Sequence, residues 1–283
     1  MADPSGYSGV AWTERSRADS YHRTISTLPT RIARQDGNGI VYEDTLVSHA
    51  DPTLFDSASW VTATLAPGDA GGRGATLFIE HDGQQWVLRH FYRGGAIRRV
   101  LQDQFLWLGE ERTRCFREWR LLDRLQSLGL PSPRPVAARY RRRGAVYTAD
   151  LITVRIPGVE SLSTRLRRSP TGADVGPEVW MAVGRCIRSF HWANVFHADL
   201  NAHNLQIDGA NRIFLLDFDR GRIRTDRSNW RAANLARLHR SLTKISQDGA
   251  AQFTSREWRW LLDGYEGAGP VGAPSVAIPI DRA

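Results

Sequence analysis

One segment constrains this chain more than any other: HADLNAHNLQIDGANRIFLLDFDRGRIR, which covers residues 197–224. It contains two polar loops, and each loop lies next to a short predicted strand. The first loop carries His197, Asp199 and Asn204, and the second carries Asp217 directly after an apolar run. An Asp after an apolar run is often only a turn residue, but two such loops at this spacing indicate one site.

The spacing His-x-Asp-x-x-x-x-Asn, then an apolar strand, then Asp-Phe-x is typical of a kinase catalytic loop followed by a metal loop. Phosphoryl transfer from ATP needs Mg²⁺ held by oxygen side chains, and a further carboxylate directed at the acceptor hydroxyl. We therefore predict that Asn204 and Asp217 bind Mg²⁺ and that Asp199 is catalytic. His197 is interpreted as a scaffold residue, because the His of this motif packs against the loop and hydrogen-bonds it.

A Gly-rich turn lies between two predicted strands, residues 61–65 and 76–80. Glycine lets the backbone approach a ligand closely, so its N–H groups can contact phosphates. We therefore predict that Gly71, Gly72 and Gly74 bind the nucleotide phosphates. A Gly-rich hairpin turn is more often only a turn, but its position directly before the next strand favours the binding role.

The next predicted strand, residues 85–91, carries Arg89 where protein kinases carry a phosphate-binding lysine. Lys244 is the only lysine of the chain and lies far away in the sequence. An arginine can replace it because a guanidinium group binds phosphate oxygens through two N–H groups. Glu118 lies beside the apolar face of a helix predicted over residues 110–128, so we expect it to pair with Arg89. In isolation, Arg89 would equally fit a solvated charge at a sheet edge.

The chain has a formal net charge of +8 at pH 7, which favours anionic partners such as nucleotide phosphates, nucleic acid or an acidic lipid surface. Charge alone is a poor argument for nucleic acid, and no nucleic-acid motif is present, so no such partner is expected. The first twenty residues lack the apolar core of a signal peptide, and no apolar run is long enough to span a membrane. Any membrane contact is therefore expected to be peripheral. Cys115 and Cys186 are predicted to be small buried residues.

The predicted fold is α+β and bilobal, like that of protein kinases. Residues 1–36 are interpreted as a polar N-terminal arm, and residues 37–156 as an N-lobe with a small antiparallel sheet and one long helix. Residues 157–265 are predicted to form a mainly helical C-lobe, followed by a flexible tail over residues 266–283. The connection between strand and helix, with basic residues over 93–99 and aromatic ones over 105–108, either faces an anionic, partly apolar acceptor or plugs the small lobe.

Two runs at the loops, HADLNAHN and LLDFDRGRIR, resemble the lipopolysaccharide kinase group of the protein-kinase-like superfamily, which includes the 3-deoxy-D-manno-octulosonic acid (Kdo) kinases. The flanking runs WVLRHFYRGG, RCFREWRLLDRL and NLARLHRSL extend the resemblance to about residues 37–265. It implies ATP-dependent phosphorylation of the 4-hydroxyl of Kdo on Kdo–lipid IVA, with Mg²⁺, by a peripheral protein at the cytoplasmic face of the bacterial inner membrane. The group's Asp-Phe-Asp, with Asp219 in place of a flexible glycine, implies a metal loop held in its active arrangement.

Two other hypotheses about the function stay open at this point. The same scaffold also suits a kinase of another sugar or small molecule, such as heptose or an aminoglycoside. The missing lysine suggests a pseudokinase that only binds nucleotide, but the presence of Asp199, Asn204 and Asp217 disfavours it. The sequence makes no prediction of the oligomeric state.

Overall fold

The computed structural model of the chain describes residues 13–15, 28–60, 63–66, 76–93, 103–169, 171, 174–225, 228–249 and 252–267. The chain divides into two units. The first unit contains residues 1–119 and 135–154, and the second contains residues 120–134 and 155–283. The predicted phosphate-binding residues Gly71, Gly72 and Gly74 lie outside the described residues, as does the predicted tail beyond residue 267.

The described part of the first unit contains one antiparallel sheet of nine strands. The strands are β1 (Thr13–Arg15), β2 (Thr30–Gln35), β3 (Asn38–Glu43), β4 (Thr64–Leu65), β5 (Leu77–His81), β6 (Gln84–His90), β7 (Phe105–Leu106), β8 (Pro135–Arg143) and β9 (Val146–Val154). Their order is β1-β2-β3-β8-β9-β6-β5-β4, and β7 also pairs with β9. The small antiparallel sheet predicted from the sequence is therefore confirmed.

Strand β6 shows how the sheet separates core from site. Its side chains alternate between the two faces of the sheet, as in any strand. Trp86 and Leu88 are buried in a hydrophobic cluster with Ile152 of β9. Arg89 therefore points to the opposite face. The β5–β6 turn runs through Asp82 and Gly83 with φ angles of 48° and 75°.

The assignment of residues 30–36 to a polar arm is wrong, because Thr30–Gln35 is a full strand of the sheet, antiparallel to β3. Ala33 is fully buried, whereas Arg34 reaches out to a 2.7 Å ion pair with Glu110. Four of its six residues are polar, namely Thr30, Arg31, Arg34 and Gln35, and this composition makes the strand look polar in the sequence. The other lobe boundaries stay predictions.

The predicted helix over residues 110–128 is present in two parts. Glu110–Arg112 forms a 3₁₀ turn, and helix α1 extends over Arg114–Ser127. Gly129 follows with a φ of 64°, the left-handed conformation that commonly ends a helix. Cys115 at the start of α1 is free and buried, and burial raises the pKa of its thiol to about 12.

In the aromatic connection before α1, aromatic side chains that pack against Tyr147 alternate with exposed leucines. Phe105 is buried, and its ring lies 5.5 Å from that of Tyr147. The ring of Trp107 lies 6.0 Å from the same tyrosine. Leu106 and Leu108 are 58% and 59% exposed. The two aromatic rings thus pack against the first unit, while the two leucines are exposed at its surface.

The second unit is mainly helical, as predicted. Its helices are α2 (Leu162–Arg168), α3 (Pro177–Trp192), α4 (Trp230–Gln247) and α5 (Ser255–Glu266), and its short strands are β10 (Glu160–Ser161), β11 (Val195–Phe196), β12 (Leu205–Ile207), β13 (Ile213–Leu215) and β14 (Arg222–Ile223). A capping box of Thr254 and Glu257 starts α5. Cys186 of α3 is buried and free, as predicted.

Helices α3 and α5 cross at two glycines. A Cβ atom on Gly184 would collide with the backbone of Leu261, and one on Gly264 would collide with the backbone of Met181. The helix axes can therefore approach closely at this point, near the middle of α3. No helix in the described ranges has the length and apolarity needed to cross a membrane.

Candidate active site

A short hairpin joins the two polar loops. Strands β12 and β13 are antiparallel, with Leu205 opposite Leu215. One residue further, the N–H of Leu216 donates to the carbonyl of Asn204 at 2.9 Å. Because Asn204 precedes β12 and Asp217 follows β13, both predicted metal ligands lie at the same end of this hairpin.

The catalytic loop is closed by hydrogen bonds of its own residues. The amide nitrogen of Asn204 donates to the carbonyl of Asp199 at 2.9 Å. The backbone N–H of Asn204 also donates to the side chain of Asn201 at 3.0 Å. Because the amide nitrogen of Asn204 is used inside the loop, its Oδ1 atom is the one available as a metal ligand.

The carboxylate of Asp199 is held at both oxygens. Its Oδ1 accepts a hydrogen bond from Arg237 at 3.1 Å, and its Oδ2 accepts one from the side chain of Asn201 at 3.1 Å. The Asp199 side chain is still 57% exposed. The predicted catalytic residue is thus oriented by two neighbours and accessible to an acceptor.

His197 connects the two loops through hydrogen bonds of its ring. Its ring is buried, and its Nε2 lies 2.9 Å from the carbonyl oxygen of Leu216. The backbone N–H of Asp199 donates to its Nδ1 at 3.2 Å. An accepting Nδ1 requires the neutral tautomer that carries its proton on Nε2. Burial lowers the pKa of His197, which stabilises that neutral form, and the ring acts as the scaffold predicted from the sequence.

The metal loop is anchored by Phe218. This ring is fully buried and lies 5.6 Å from Phe190 and 5.0 Å from His197. Asp217 before it has a φ of 60°, a left-handed conformation that is uncommon for a side chain other than glycine. A strained backbone of this kind often lies at a functional site. The backbone that carries the Asp217 carboxylate is thus held in place by the buried ring of Phe218.

A second pair of predicted residues meets in the first unit. An Arg89 nitrogen lies 2.5 Å from a carboxylate oxygen of Glu118, and their side chains are 25% and 3% exposed. The guanidinium also lies over the ring of Phe91, at 4.9 Å. The contact predicted between β6 and α1 is therefore present. Since an arginine has five N–H donors, a side chain fixed in this way can still bind phosphate oxygens, and that role stays a prediction.

The donors at the end of the β12–β13 hairpin suit Mg²⁺. Asp217 offers a carboxylate oxygen and Asn204 an amide oxygen, and Mg²⁺ prefers oxygen ligands. It is commonly bound by one or two protein oxygens together with substrate phosphates. The ligand set fits a metal that arrives with a triphosphate.

Asn201 within the catalytic loop, and Asn234, Arg237 and Ser241 of α4, which contact the loop, were not predicted. Asn234 donates to the carbonyl of His197 at 2.8 Å and accepts from its N–H at 3.3 Å. A signal for Asn234 exists in the sequence, because it lies between Trp230 and Leu238 on the apolar stripe of α4. A buried amide on such a stripe must find hydrogen-bond partners. No comparable signal marks Arg237.

Comparison with known proteins supports the same interpretation. Residues 58–265 match a family described as the lipopolysaccharide kinase (Kdo/WaaP) family. The chain is 39% identical over 247 residues to a protein of Xanthomonas euvesicatoria pv. vesicatoria named 3-deoxy-D-manno-octulosonic acid kinase, covering 87% of this chain and 96% of that relative. A protein of the same name from Stenotrophomonas maltophilia is 40% identical over 238 residues, covering 84% and 93%.

Proposed function

This chain belongs to the lipopolysaccharide kinase (Kdo/WaaP) family, and we propose that it transfers the γ-phosphoryl group of ATP to a Kdo sugar in lipopolysaccharide biosynthesis. The acceptor is Kdo–lipid IVA and the acceptor atom is the oxygen of the 4-hydroxyl. The strongest support is the hairpin end at which Asn204 and Asp217 lie next to the loop of Asp199. Phosphoryl transfer requires this combination of groups.

Asp199 acts on the acceptor. Its carboxylate accepts a hydrogen bond from the sugar hydroxyl and orients that oxygen toward the γ-phosphorus. As the new oxygen–phosphorus bond forms, the bond from phosphorus to the β-phosphate oxygen breaks and ADP leaves. The hydroxyl proton passes to Asp199 late in this step. Orientation of this kind supplies a large part of the rate increase in phosphoryl transfer.

The remaining predicted residues bind the nucleotide, either through Mg²⁺ or at its phosphates. Asn204 and Asp217 hold Mg²⁺, which neutralises negative charge on the phosphates when it is bound. Arg89, fixed by Glu118, donates N–H groups to phosphate oxygens. The backbone at Gly71, Gly72 and Gly74 adds further N–H donors.

His197 keeps the two loops in register during the reaction. Because it is neutral and bonded to Leu216 and to the N–H of Asp199, it adds no charge next to the transferred group. Its role is to couple the position of Asp199 to the position of Asp217. We assign no proton transfer to it.

The acceptor is an anionic lipid, so the protein must work at a membrane surface. We propose peripheral binding at the cytoplasmic face of the inner membrane through the exposed Leu106 and Leu108. The formal net charge of +8 favours an anionic surface. Close to these leucines, the guanidinium of Arg142 lies 4.9 Å from the ring of Trp107. Apolar side chains next to basic ones are typical of peripheral membrane contacts.

Mass spectrometry of the acceptor tests the proposed function. Kdo–lipid IVA is incubated with the protein, ATP and Mg²⁺, and one added phosphate is expected on the Kdo residue. The Asp199→Asn variant is the matched control and should give almost none. Transfer to heptose or to an aminoglycoside, with none to Kdo–lipid IVA, would replace the proposed acceptor. Nucleotide binding without transfer to any of them would support a pseudokinase.

A further inference from the structure

One face of α4 holds the catalytic loop at three successive points. The residues are Asn234, Arg237 and Ser241, and they contact His197, Asp199 and Ala202 in that order. Helix residues three and four positions apart lie on the same face. A single helix surface therefore follows the loop from its first residue to the turn that precedes Asn204.

The three contacts differ in what they reach. The side chain of Asn234 is hydrogen-bonded to both the N–H and the carbonyl of His197. The hydroxyl of Ser241 accepts a hydrogen bond from the backbone N–H of Ala202 at 3.2 Å. These two contacts fix the path of the loop. Arg237 instead reaches the carboxylate of Asp199, so it is the member of this face that acts on the reacting side chain.

Stability does not explain the Arg237 contact. The Arg237 and Asp199 side chains are 48% and 57% exposed. An ion pair at such an exposed position contributes roughly 0–1 kcal/mol to stability, and ordering a long arginine side chain costs entropy. The catalytic loop HADLNAHN itself contains no lysine or arginine. A basic group beside Asp199 must therefore come from another element, and α4 supplies it.

We propose that Arg237 is a positioning residue, which holds the Asp199 carboxylate in the orientation that receives the acceptor hydroxyl. Arg237 holds Oδ1 and Asn201 holds Oδ2, so the carboxylate cannot rotate away. Each oxygen keeps a second lone pair for the acceptor. This inference rests on the proposed function, because it assumes that Asp199 is the group that meets the acceptor.

Steady-state kinetics of Arg237→Gln test the proposal. We expect kcat to fall roughly 10- to 100-fold, because misplacing a catalytic group by about 1 Å has effects of this size. The KM values for ATP and for Kdo–lipid IVA should stay close to those of the wild type. Arg240→Gln is the matched control, since it removes an exposed arginine one turn further along α4, and it should leave kcat unchanged. Arg237→Lys, which keeps the charge, should recover part of the loss.

A double-mutant cycle separates positioning from direct contact with substrate. If Arg237 acts through Asp199, then Arg237→Gln should lower kcat no further in the Asp199→Asn background. A further loss of the full size in that background would overturn the proposal. Thermal melting of each variant checks that the fold is retained, and Arg237→Lys provides the test should Arg237→Gln not fold.

The outcomes distinguish this inference from the proposed function. If wild-type protein does not phosphorylate Kdo–lipid IVA, the proposed function fails. If wild type and Asp199→Asn behave as proposed but Arg237→Gln turns over like Arg240→Gln, only the role of Arg237 is overturned.

Discussion

The Nε2 atom of His197 lies 2.9 Å from the carbonyl oxygen of Leu216, so one buried ring ties the loop of Asp199 to the loop of Asp217. The two loops are separated in the sequence by the β12–β13 hairpin. The hairpin brings their ends together, and His197 fixes their spacing. A neutral ring is suited to this place, because a buried charge would be costly.

We predict that His197→Phe destabilises the second unit and lowers turnover together. The change keeps an aromatic ring but leaves the carbonyl of Leu216 and the N–H of Asp199 without this partner. Each buried polar group left unpaired costs about 1–3 kcal/mol. The free energy of unfolding from urea titration and kcat from a coupled assay measure the two effects. His203→Phe, an exposed position in the same loop, is the control, and equal behaviour of both variants would contradict a scaffold role.

Magnesium dependence tests the predicted ligands. We predict that Asp217→Asn lowers kcat by roughly 10²-fold or more, because removing one group that stabilises transition-state charge commonly has such an effect. Asn204→Ala should raise the Mg²⁺ concentration that gives half the maximal rate. Asp248→Asn, an exposed residue after α4, should change neither quantity. An unchanged Mg²⁺ dependence in both site variants would remove them from the metal site.

A buried charge network in the first unit predicts a pH-dependent stability. His90 lies 2.6 Å from Asp150, which also pairs with Arg139 at 2.8 Å, on three neighbouring strands. Burial opposes protonation of His90, but the bonds and charges of Asp150 and Asp103 outweigh it and raise its pKa. Burial likewise opposes ionisation of Asp150, but His90 and Arg139 lower its pKa.

The direction of the pH effect follows from the raised pKa of His90. A raised value stabilises the fold fully below about 6.5, the ordinary value, and this stabilisation is lost as the pH rises through the folded-state pKa. His90→Gln should therefore cost more unfolding free energy at about pH 5.5 than at about pH 8.5. Denaturant titrations at both pH values measure it, with His49→Gln, an exposed position, as control. A cost independent of pH would show that the network does not hold the proton.

The sequence predicts the site where its contacts are local and misses them where distant elements meet. Asp199, Asn204 and Asp217 lie in one segment, so their spacing alone predicts that they converge. The Arg89 and Glu118 contact is predictable because a strand and the following helix carry them in a known order. The contact of Arg237 with Asp199 depends on how α4 packs on the loop. No pattern within α4 contains that information.

Membrane binding through Leu106 and Leu108 can be tested with vesicles. We predict that the double change Leu106→Ser and Leu108→Ser weakens binding to anionic vesicles at least roughly tenfold, since burying one leucine contributes about 1.5–3 kcal/mol. Co-sedimentation measures the bound fraction. Leu128→Ser, at another exposed leucine, is the control. Serine keeps the net charge, so equal binding of the double variant and wild type would place the lipid contact elsewhere.

The crossing of α3 and α5 gives a prediction about the support of the catalytic loop. Gly184→Ala places a methyl group against the backbone of Leu261, and a backbone cannot move aside as a side chain can. Overpacking of this kind costs about 1–3 kcal/mol, so we expect a lower free energy of unfolding. Gly209→Ala is the control, because a Cβ there meets no atom within 4 Å. Since Phe190 of α3 packs against Phe218 of the metal loop, Gly184→Ala should also lower kcat at temperatures where the protein stays folded. A variant as stable and as active as Gly209→Ala would show that this close approach is not needed to hold the loop.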